Sequence, residues 1–249
     1  NYTVLINKDN KGCSELIAQN KEVNFTTFGL ENADYEARNI QLGEETSFDI
    51  YYKSEFLTSL KTQMKGIHNV YNALAVIAAL ISSKVDIEAV KPHFYTFTGM
   101  GRRLQKSAEF NNIKVYDDYA HHPTEIKATL DAVKYMGAKR VIAVFQPHRY
   151  SRLQGLWNEF LHAFSNADKV YVTDVYAASE DIIDGISGEK FSKDLISYIP
   201  CEYVSGSIQQ VAEIILPALK SGDIVVGLGA GTITTLGNDL LNCTNGAKI

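Results

Sequence analysis

The second part of the chain alternates short apolar runs with helical stretches, and this regularity constrains the fold more than any other feature. The apolar runs predict strands at 113–117, 140–145, 169–173, 201–204 and 223–228. The stretches that follow them predict helices at about 123–136, 153–165, 188–198, 207–219 and 232–241. Apolar strands separated by helices are typical of a parallel sheet covered on both faces. We therefore predict a mostly parallel α/β domain here.

The first hundred residues have a less regular pattern. Short β-prone runs, broken by asparagine, glycine and charged residues, lie at 2–6, 23–28 and 47–52. A nearly all-apolar helix is predicted at about 68–83, with Asn69 as its N-cap. Because a helix that is apolar on most faces is buried, this helix belongs to a core. A second helix is predicted at about 86–95, starting at Asp86. The change of pattern places a domain boundary in the segment 99–107.

Composition and charge exclude several classes of protein. Of the 249 residues, 45% are apolar and 21% are charged, which is typical of a globular protein rather than a disordered chain. The longest apolar run, residues 73–81, has about half the length that a bilayer requires, so we expect no membrane span. A net charge of −5 argues against general nucleic-acid binding.

The cysteines and the first residue bear on location and completeness. Cys13, Cys201 and Cys243 are far apart and form no C-x-x-C motif. This usage predicts free thiols and a cytoplasmic location. The chain opens at Asn1, without Met and without the apolar stretch of a signal peptide, so we expect a fragment of a longer protein.

Polar segments follow three of the predicted strands, where open parallel sheets bind their ligands. These segments are DDYAHHP at 117–123, QPHRYSR at 146–152 and DVYAASE at 174–180. Most of the arginines and histidines lie in four segments. Two of them are DDYAHHP and QPHRYSR, and the other two are GMGRRL at 99–104 and HNVYN at 68–72. These residues are four of the six arginines (Arg102, Arg103, Arg149 and Arg152) and four of the six histidines (His68, His121, His122 and His148).

Asp117 and Asp118 end the first strand of this half. Their carboxylates could accept hydrogen bonds from ribose hydroxyls or orient a magnesium-bound phosphate. The alternative is a polar turn with an aspartate cap, followed by Pro123 in the first turn of a helix. His121 and His122 could bind zinc, but the sequence shows no third ligand at metal-binding spacing.

Four further segments allow a binding role or a structural one. Paired arginines between glycines at 99–104 suit phosphate recognition, or the segment is a solvated hinge. QPHRYSR suits a carboxylate or phosphate clamp, or it is a surface turn. Asn69 and Asn72 lie on one helix face, where their amides could contact an adenine edge, or they only cap the helix. GLGAG at 227–231 is explained by tight strand-to-helix packing, with an anion at the helix start as the alternative.

Taken together, six segments resemble the ATP-dependent Mur ligases of peptidoglycan synthesis. They stand in the family's order and span about two thirds of the chain. The segments are HNVYNALAVIAAL (68–80), FTGMGRRL (97–104), VYDDYAHHPTEI (115–126), FQPHRYSR (145–152), DVYAASE (174–180) and GLGAGTI (227–233).

The resemblance implies a division of the chain. Members of the family have a UDP-sugar domain, a central ATPase domain with a P-loop, and a Rossmann-like C-terminal domain. Residues 1–105 resemble the last part of the central, ATP-binding domain, and residues 106–249 resemble the whole C-terminal domain. No GxxxxGK[ST] P-loop is present, and neither a GxSxG elbow nor an HExxH motif occurs. The missing N-terminal domains of the same polypeptide would be this chain's partners.

The resemblance also implies a reaction, the ATP-dependent ligation of L-alanine to UDP-N-acetylmuramate through an acyl phosphate. ATP and Mg²⁺ would act in the full-length enzyme, whereas this fragment is expected to be inactive alone and to bind no cofactor tightly. Neither a nucleic acid nor a membrane is an expected partner. Two alternatives stay open: a recycling ligase that adds an intact peptide to the same sugar, and a non-catalytic nucleotide-binding module. QPHRYSR favours the alanine-adding reaction, because the recycling ligases differ in this segment.

The resemblance assigns roles residue by residue. The residues implied for the nucleotide are His68, Asn69, Asn72, Arg103 and Asp118, and those implied for the amino acid are Tyr119, His122, His148, Arg149 and Arg152. Arg103 and His121 are the implied catalytic residues, and no metal ligand is implied within this chain. Thr232 stands where the family usually has aspartate, and we expect that threonine still caps a helix there.

Overall fold

The computed structural model describes residues 4–97 and 99–246, with no side-chain description for 245 and 246. The chain divides into two units, residues 1–99 and 100–249. The division falls inside the predicted boundary segment 99–107, and residues 100–105 group with the second unit. Each unit has its own sheet and its own apolar core.

The first unit contains a five-stranded sheet in the order β1-β2-β3-β4-β5. Its first three strands are parallel and its last two are antiparallel hairpin partners. Two of these strands, β3 and β5, were not predicted, because charged residues interrupt their apolar residues. The strands are β1 (Val4–Asn7), β2 (Phe25–Gly29), β3 (Tyr35–Gln41), β4 (Thr46–Tyr52) and β5 (Glu55–Thr62).

Three helices accompany this sheet: α1 (Lys11–Gln19), α2 (Ile67–Ser82) and α3 (Ile87–Thr96). α2 packs its apolar face into the core, as its composition predicts. The predicted N-cap at Asn69 is wrong: the helix starts after Gly66, whose φ of 86° suits glycine, and Asn69 N donates to Gly66 O at 3.0 Å. α3 begins one residue after the predicted start at Asp86, which caps the helix by accepting from Glu88 N.

The second unit is built on a six-stranded sheet in the order β10-β9-β8-β11-β7-β6. Every pairing is parallel except that of β6 with β7, which confirms the predicted mostly parallel sheet. The antiparallel edge strand β6 was not predicted. The strands are β6 (Gln105–Phe110), β7 (Ile113–Asp118), β8 (Arg140–Phe145), β9 (Lys169–Val172), β10 (Cys201–Tyr203) and β11 (Asp223–Leu228).

The two faces of this sheet carry separate apolar clusters. Along β8, Ala143 and Phe145 face one cluster, and Ile142 and Val144 face the other. Because side chains alternate along a strand, a strand covered on both faces is apolar throughout. The described helices of this unit are α4 (Pro123–Lys134), α5 (Tyr150–Gly155), α6 (Trp157–Leu161), α7 (Gly188–Leu195), α8 (Ile208–Ile215) and α9 (Leu236–Gly246).

Some helix bounds differ from the prediction. The single helix predicted over 153–165 is two short helices, α5 and α6, which meet at Leu156. The helix predicted from residue 232 begins as a 3₁₀ turn, Thr232–Thr235, before α9. Within the described ranges no helix combines the length and the apolar character that crossing a bilayer requires. The cysteines are free thiols, as predicted.

Candidate functional site

Four neighbouring strands, β9, β8, β11 and β7, end at one edge of the second sheet. DVYAASE follows β9, and QPHRYSR follows β8. GLGAG overlaps the end of β11, and DDYAHHP overlaps the end of β7. Parallel strands end on the same edge, so the polar segments singled out in the sequence come together there. This edge is the candidate site of the second unit.

Asp118 is a buried carboxylate that holds two loops. Its Oδ2 accepts a hydrogen bond from Leu104 N at 2.7 Å, and its Oδ1 accepts one from Ala120 N at 2.8 Å. Burial raises the pKa of Asp118, and these backbone donors and the charge of Arg103 act in the opposite direction. Only 4% of the residue is exposed. The geometry is that of the structural alternative, a capped turn, and the ribose contact stays a prediction.

The two adjacent arginines have different environments. Arg102 is turned inward: its Nε donates to Asp117 Oδ2 at 3.0 Å, and its Nη2 donates to Gly229 O at 2.7 Å. Its guanidinium also lies over the Tyr119 ring, 4.9 Å from the centroid. Arg103 is exposed. Two of the three guanidinium nitrogens of Arg102 are engaged within the fold, and phosphate recognition by the arginine pair stays a prediction.

His122 and Pro123 form the start of α4. His122 Nδ1 accepts from Thr124 N at 3.3 Å, and Glu125 Oε2 accepts from His122 N at 3.2 Å, so the two side chains form a capping box. Pro123 occupies the first helical position, which lacks a partner for an N–H group. His122 is exposed, and its contact with an amino acid stays a prediction.

Four rings form a row along this edge, which we call the aromatic row: Tyr119, His121, His148 and Tyr176. Their successive centroids are 5.2, 5.7 and 5.5 Å apart, and His148 is stacked on Tyr176. His121 Nδ1 lies 2.8 Å from Tyr119 O. A carbonyl oxygen only accepts, so Nδ1 carries the hydrogen and the neutral ring keeps a lone pair on Nε2.

His148 has the opposite tautomer. Arg152 Nη1 lies 3.1 Å from His148 Nδ1, and because arginine only donates, Nδ1 is unprotonated. Burial lowers the pKa of His148, and the charges of Arg152, His121 and Arg149 lower it further, against the opposing effect of Glu180. The fold therefore favours the neutral ring.

This shift predicts a loss of stability at acid pH. With its pKa lowered in the folded state, His148 takes up a proton in the unfolded chain first, so stability falls as pH drops through the ordinary histidine pKa. We expect the free energy of unfolding to fall less between pH 7.5 and 5.5 in His148→Gln than in the wild type. Urea unfolding of the 249-residue chain measures this free energy when it is followed by the fluorescence of Trp157, the only tryptophan in the chain. Equal falls in both proteins would contradict the prediction.

Arg149 and Arg152 stand at the start of α5. Arg149 has a φ of 72°, its side chain is half exposed, and its Nη1 lies 3.8 Å from Glu180 Oε1. Glu180 also accepts from Ser151 N at 3.0 Å and from Ser151 Oγ at 2.6 Å. This carboxylate therefore fixes the helical turn that carries both arginines.

The loops after β8 and β9 continue the sheet beyond the strands. His148 and Tyr176 form an isolated parallel bridge, in which Arg149 N donates to Tyr176 O and Tyr176 N donates to Pro147 O, each at 2.8 Å. Tyr176 and Glu180 were not among the predicted site residues. Their segment, DVYAASE, was the available signal, but it contains no histidine or arginine to draw attention to a single position.

Thr232 has a role other than the expected helix cap. It begins the 3₁₀ turn, and its Oγ1 accepts from Gln146 Nε2 at 2.9 Å. Gln146 Oε1 in turn accepts from Ile233 N at 3.0 Å. A Cβ at Gly231 would lie 2.5 Å from Gln146 Oε1 and 2.6 Å from the Tyr176 ring, so glycine is required there. The GLGAG segment serves close packing.

The candidate adenine-binding residues lie in the first unit, at the start of α2. Asn69 Nδ2 donates to Lys65 O at 2.8 Å and lies 3.1 Å from His68 Nε2. Asn72 Nδ2 donates to Asn69 Oδ1 at 3.0 Å, which confirms that the two asparagines share a helix face. Asn72 is exposed and Asn69 is partly buried. Their contact with adenine stays a prediction.

The described residues contain no group of side chains suited to a metal ion. Across 4–97 and 99–246, no three side chains among His, Cys, Asp and Glu come close enough together to hold an ion. His121 and His122 accordingly have no third ligand in this part of the chain.

Two sequence profiles match the chain. The Mur ligase middle domain matches residues 1–80, and the domain described as Mur ligase, glutamate ligase domain matches residues 102–231. The chain belongs to the Mur ligase family. It is 42% identical over 236 residues to a UDP-N-acetylmuramate–L-alanine ligase of Geotalea daltonii, covering 94% of this chain and 51% of that protein. A protein of the same name from Caldicellulosiruptor bescii is 42% identical over 235 residues, covering 92% and 51%.

The solved structures agree with this family. A UDP-N-acetylmuramate-alanine ligase from Thermotoga maritima superimposes with a TM-score of 0.79 at 26% identity, over 99% of this chain and 52% of that one. MurF from Acinetobacter baumannii shares the fold, with a TM-score of 0.75 at 14% identity, over 98% and 51%. The chain spans about half the length of the relatives it matches.

Proposed function

We propose that the protein containing this chain joins L-alanine to UDP-N-acetylmuramate in the cytoplasm, driven by ATP. The observation that carries the proposal is the arginine pair at the start of α5, beside the aromatic row. Arg149 and Arg152 present two guanidinium groups at a strand end, which is an arrangement suited to a small carboxylate. The identity to ligases of that name supports the same assignment.

The reaction has two chemical steps. The γ-phosphoryl group of ATP passes to the carboxylate of the sugar substrate, which gives ADP and an acyl phosphate. The amine of L-alanine then attacks the acyl carbon, and the tetrahedral intermediate expels inorganic phosphate as the amide forms. Positioning and charge stabilisation supply most of the rate enhancement in such steps.

Arg103 is the residue we assign to the phosphate charge. It is exposed at the strand edge, and its charge already acts on the buried Asp118. His68, Asn69 and Asn72 of the first unit are assigned to the adenine. Mg²⁺ would supply charge neutralisation on the phosphates. The described residues form no cluster of metal ligands.

The incoming amino acid is assigned to the arginine pair and the aromatic row. Arg149 and Arg152 would bind the carboxylate, with His148 held against Arg152. Tyr119 and His122 would contact the rest of the amino acid. A methyl side chain offers little apolar area, so fixed charges must carry the selection.

His121 is the residue we assign to proton transfer. The α-ammonium group of L-alanine must lose a proton before its nitrogen can attack. His121 donates from Nδ1 to Tyr119 O, which leaves the Nε2 lone pair as the acceptor for that proton. Glu125 Oε2 lies 3.5 Å from Nδ1, on the side of the ring away from that lone pair.

The experiment is an assay of the full-length protein. Phosphate release is measured with ATP, Mg²⁺ and UDP-N-acetylmuramate, and the amine donor is varied. We expect release with L-alanine and little with an intact peptide that begins with alanine. Faster release with the peptide would instead indicate the recycling ligase. No release with either donor, from a protein that binds ATP, would indicate a non-catalytic module.

This chain alone is expected to be inactive in the same assay. It has no P-loop, so nothing in its sequence cradles the triphosphate. The isolated 249 residues serve as the matched control for the full-length protein.

A further inference from the structure

Arg103 stands between two residues that are fixed to the strand ends. Before it, Arg102 O accepts from Tyr119 N at 2.8 Å, and the Arg102 side chain reaches Asp117 and Gly229 O. After it, Leu104 N donates to Asp118 Oδ2 at 2.7 Å. The consecutive carboxylates at the end of β7, Asp117 and Asp118, therefore hold the loop on both sides of the exposed arginine.

The backbone of this loop is strained. Arg102 has a φ of 60° and Leu104 a φ of 46°, in the left-handed region that side chains other than glycine disfavour. Such conformations persist only where the surroundings fix them, and they are concentrated at functional sites. The contacts of Arg102 and Leu104 supply that fixation.

Asp117, the side chain to which Arg102 donates, depends in turn on the charge of Arg102. The Asp117 side chain is 8% exposed, and its Oδ2 accepts from both Arg102 Nε and Thr234 Oγ1. Its Oδ1 is buried and has no hydrogen-bond partner among the described residues. A buried carboxylate with one unpartnered oxygen needs a nearby cation, and Arg102 is the cation in contact with it.

We propose that Arg102 is a positioning residue for Arg103 and Tyr119. Its guanidinium, held by Asp117 and Gly229 O, keeps the strained loop in the one conformation that directs Arg103 outward. The same guanidinium lies over the Tyr119 ring and so fixes one end of the aromatic row. This inference rests on the proposed function, in which Arg103 meets the phosphates of ATP.

Arg140 is a matched control in the same unit. It pairs with Asp223 through Nε at 2.9 Å and Nη2 at 2.6 Å, and its Nη2 donates to a backbone carbonyl, Ala218 O, at 3.1 Å. The pair stands where β8 and β11 begin, at the opposite edge of the sheet from the candidate site. Like Arg102, Arg140 therefore donates to an aspartate and to a backbone carbonyl, but it has no neighbour in the candidate site.

The test is a double-mutant cycle in the full-length protein, with Arg102→Ala, Arg103→Ala, both together, and Arg140→Ala. Equilibrium binding of ATP, kcat, KM for each substrate and Tm are measured. We expect Arg102→Ala to weaken ATP binding about tenfold when Arg103 is present and to have no further effect when it is absent. Arg140→Ala should lower Tm and leave ATP binding within about twofold.

Several results would overturn the inference. Independent, additive effects of Arg102→Ala and Arg103→Ala would show that Arg102 does not act through Arg103. An equal loss of ATP binding in Arg140→Ala would show that the effect is one of stability. If Arg102→Ala does not fold, Arg102→Lys enters the same cycle, since lysine keeps the charge but loses the fork to Gly229 O. Coupled ATP binding without alanine-dependent turnover would refute the proposed function alone, and an absence of ATP binding would refute both.

Discussion

Replacing Arg149 by alanine in the full-length protein is expected to raise the KM for L-alanine about 10- to 150-fold, the equivalent of one charge-assisted hydrogen bond. The side chain is half exposed, so its loss leaves few buried groups unpartnered. The KM values for ATP and UDP-N-acetylmuramate should change by less than about twofold, because a residue that binds one substrate affects mainly that substrate. Steady-state kinetics, with each substrate varied in turn, measures the three constants.

Arg38→Ala is the matched control for this variant. Arg38 is another partly exposed arginine paired with a glutamate, Glu36, but it lies on β3 of the first unit. All three KM values should stay at the wild-type level in the control. Equal increases for all substrates in Arg149→Ala would indicate a folding defect, and an unchanged KM for L-alanine would return QPHRYSR to the alternative of a surface turn.

Replacing Phe145 by alanine is expected to lower the free energy of unfolding by about 3–5 kcal/mol, the usual range for a buried phenylalanine. The ring has no exposed surface and packs against Phe160, Phe164 and Phe191, with centroids 5.2 to 6.1 Å away. Its removal leaves a cavity in the middle of a three-ring cluster. The rings of Trp157 and Phe191 pack edge to face with their centroids 5.3 Å apart. The fluorescence of Trp157 therefore reports the unfolding of this unit in urea.

Ile182→Ala is the control for the loss of apolar atoms. Ile182 is 79% exposed in the same unit, so its truncation should change the free energy of unfolding by less than about 0.5 kcal/mol. If Phe145→Ala does not fold, Phe145→Leu gives a smaller loss in the same direction. If Phe145→Ala lowers the free energy of unfolding by less than about 1 kcal/mol, the packing of this ring cluster does not contribute substantially to stability.

The sequence predicted the sheet of the second unit because its central strands are covered on both faces. After their first residues, the paired Arg140 and Asp223, β8 and β11 contain only apolar residues and one glycine. In β5 buried and exposed residues alternate from Thr58 onward, and in both β3 and β5 charged residues interrupt the apolar ones and hide the pattern of a strand. β6 is an antiparallel edge strand with the sequence QKSAEF, in which only Ala108 is buried. Tertiary pairing, rather than local preference, makes it a strand.

The sequence also predicted which segments meet, but not which side chains face outward. Arg102 and Arg103 are chemically identical neighbours, and only the backbone conformation turns one of them inward. His121 and His122 differ in the same way, since one joins the aromatic row and the other caps α4. Such differences depend on contacts between residues far apart in the sequence, which no local pattern contains.

The bridge between His148 and Tyr176 has a thermodynamic consequence for ligand binding. Fixing one residue of a flexible loop costs about 1–2 kcal/mol of backbone entropy. In this protein the backbone that carries Arg149 is already hydrogen-bonded to the loop after β9. The ordering of that loop is therefore part of the free energy of folding, and an amino acid bound as proposed would meet a preorganised surface whose full electrostatic attraction is available for binding.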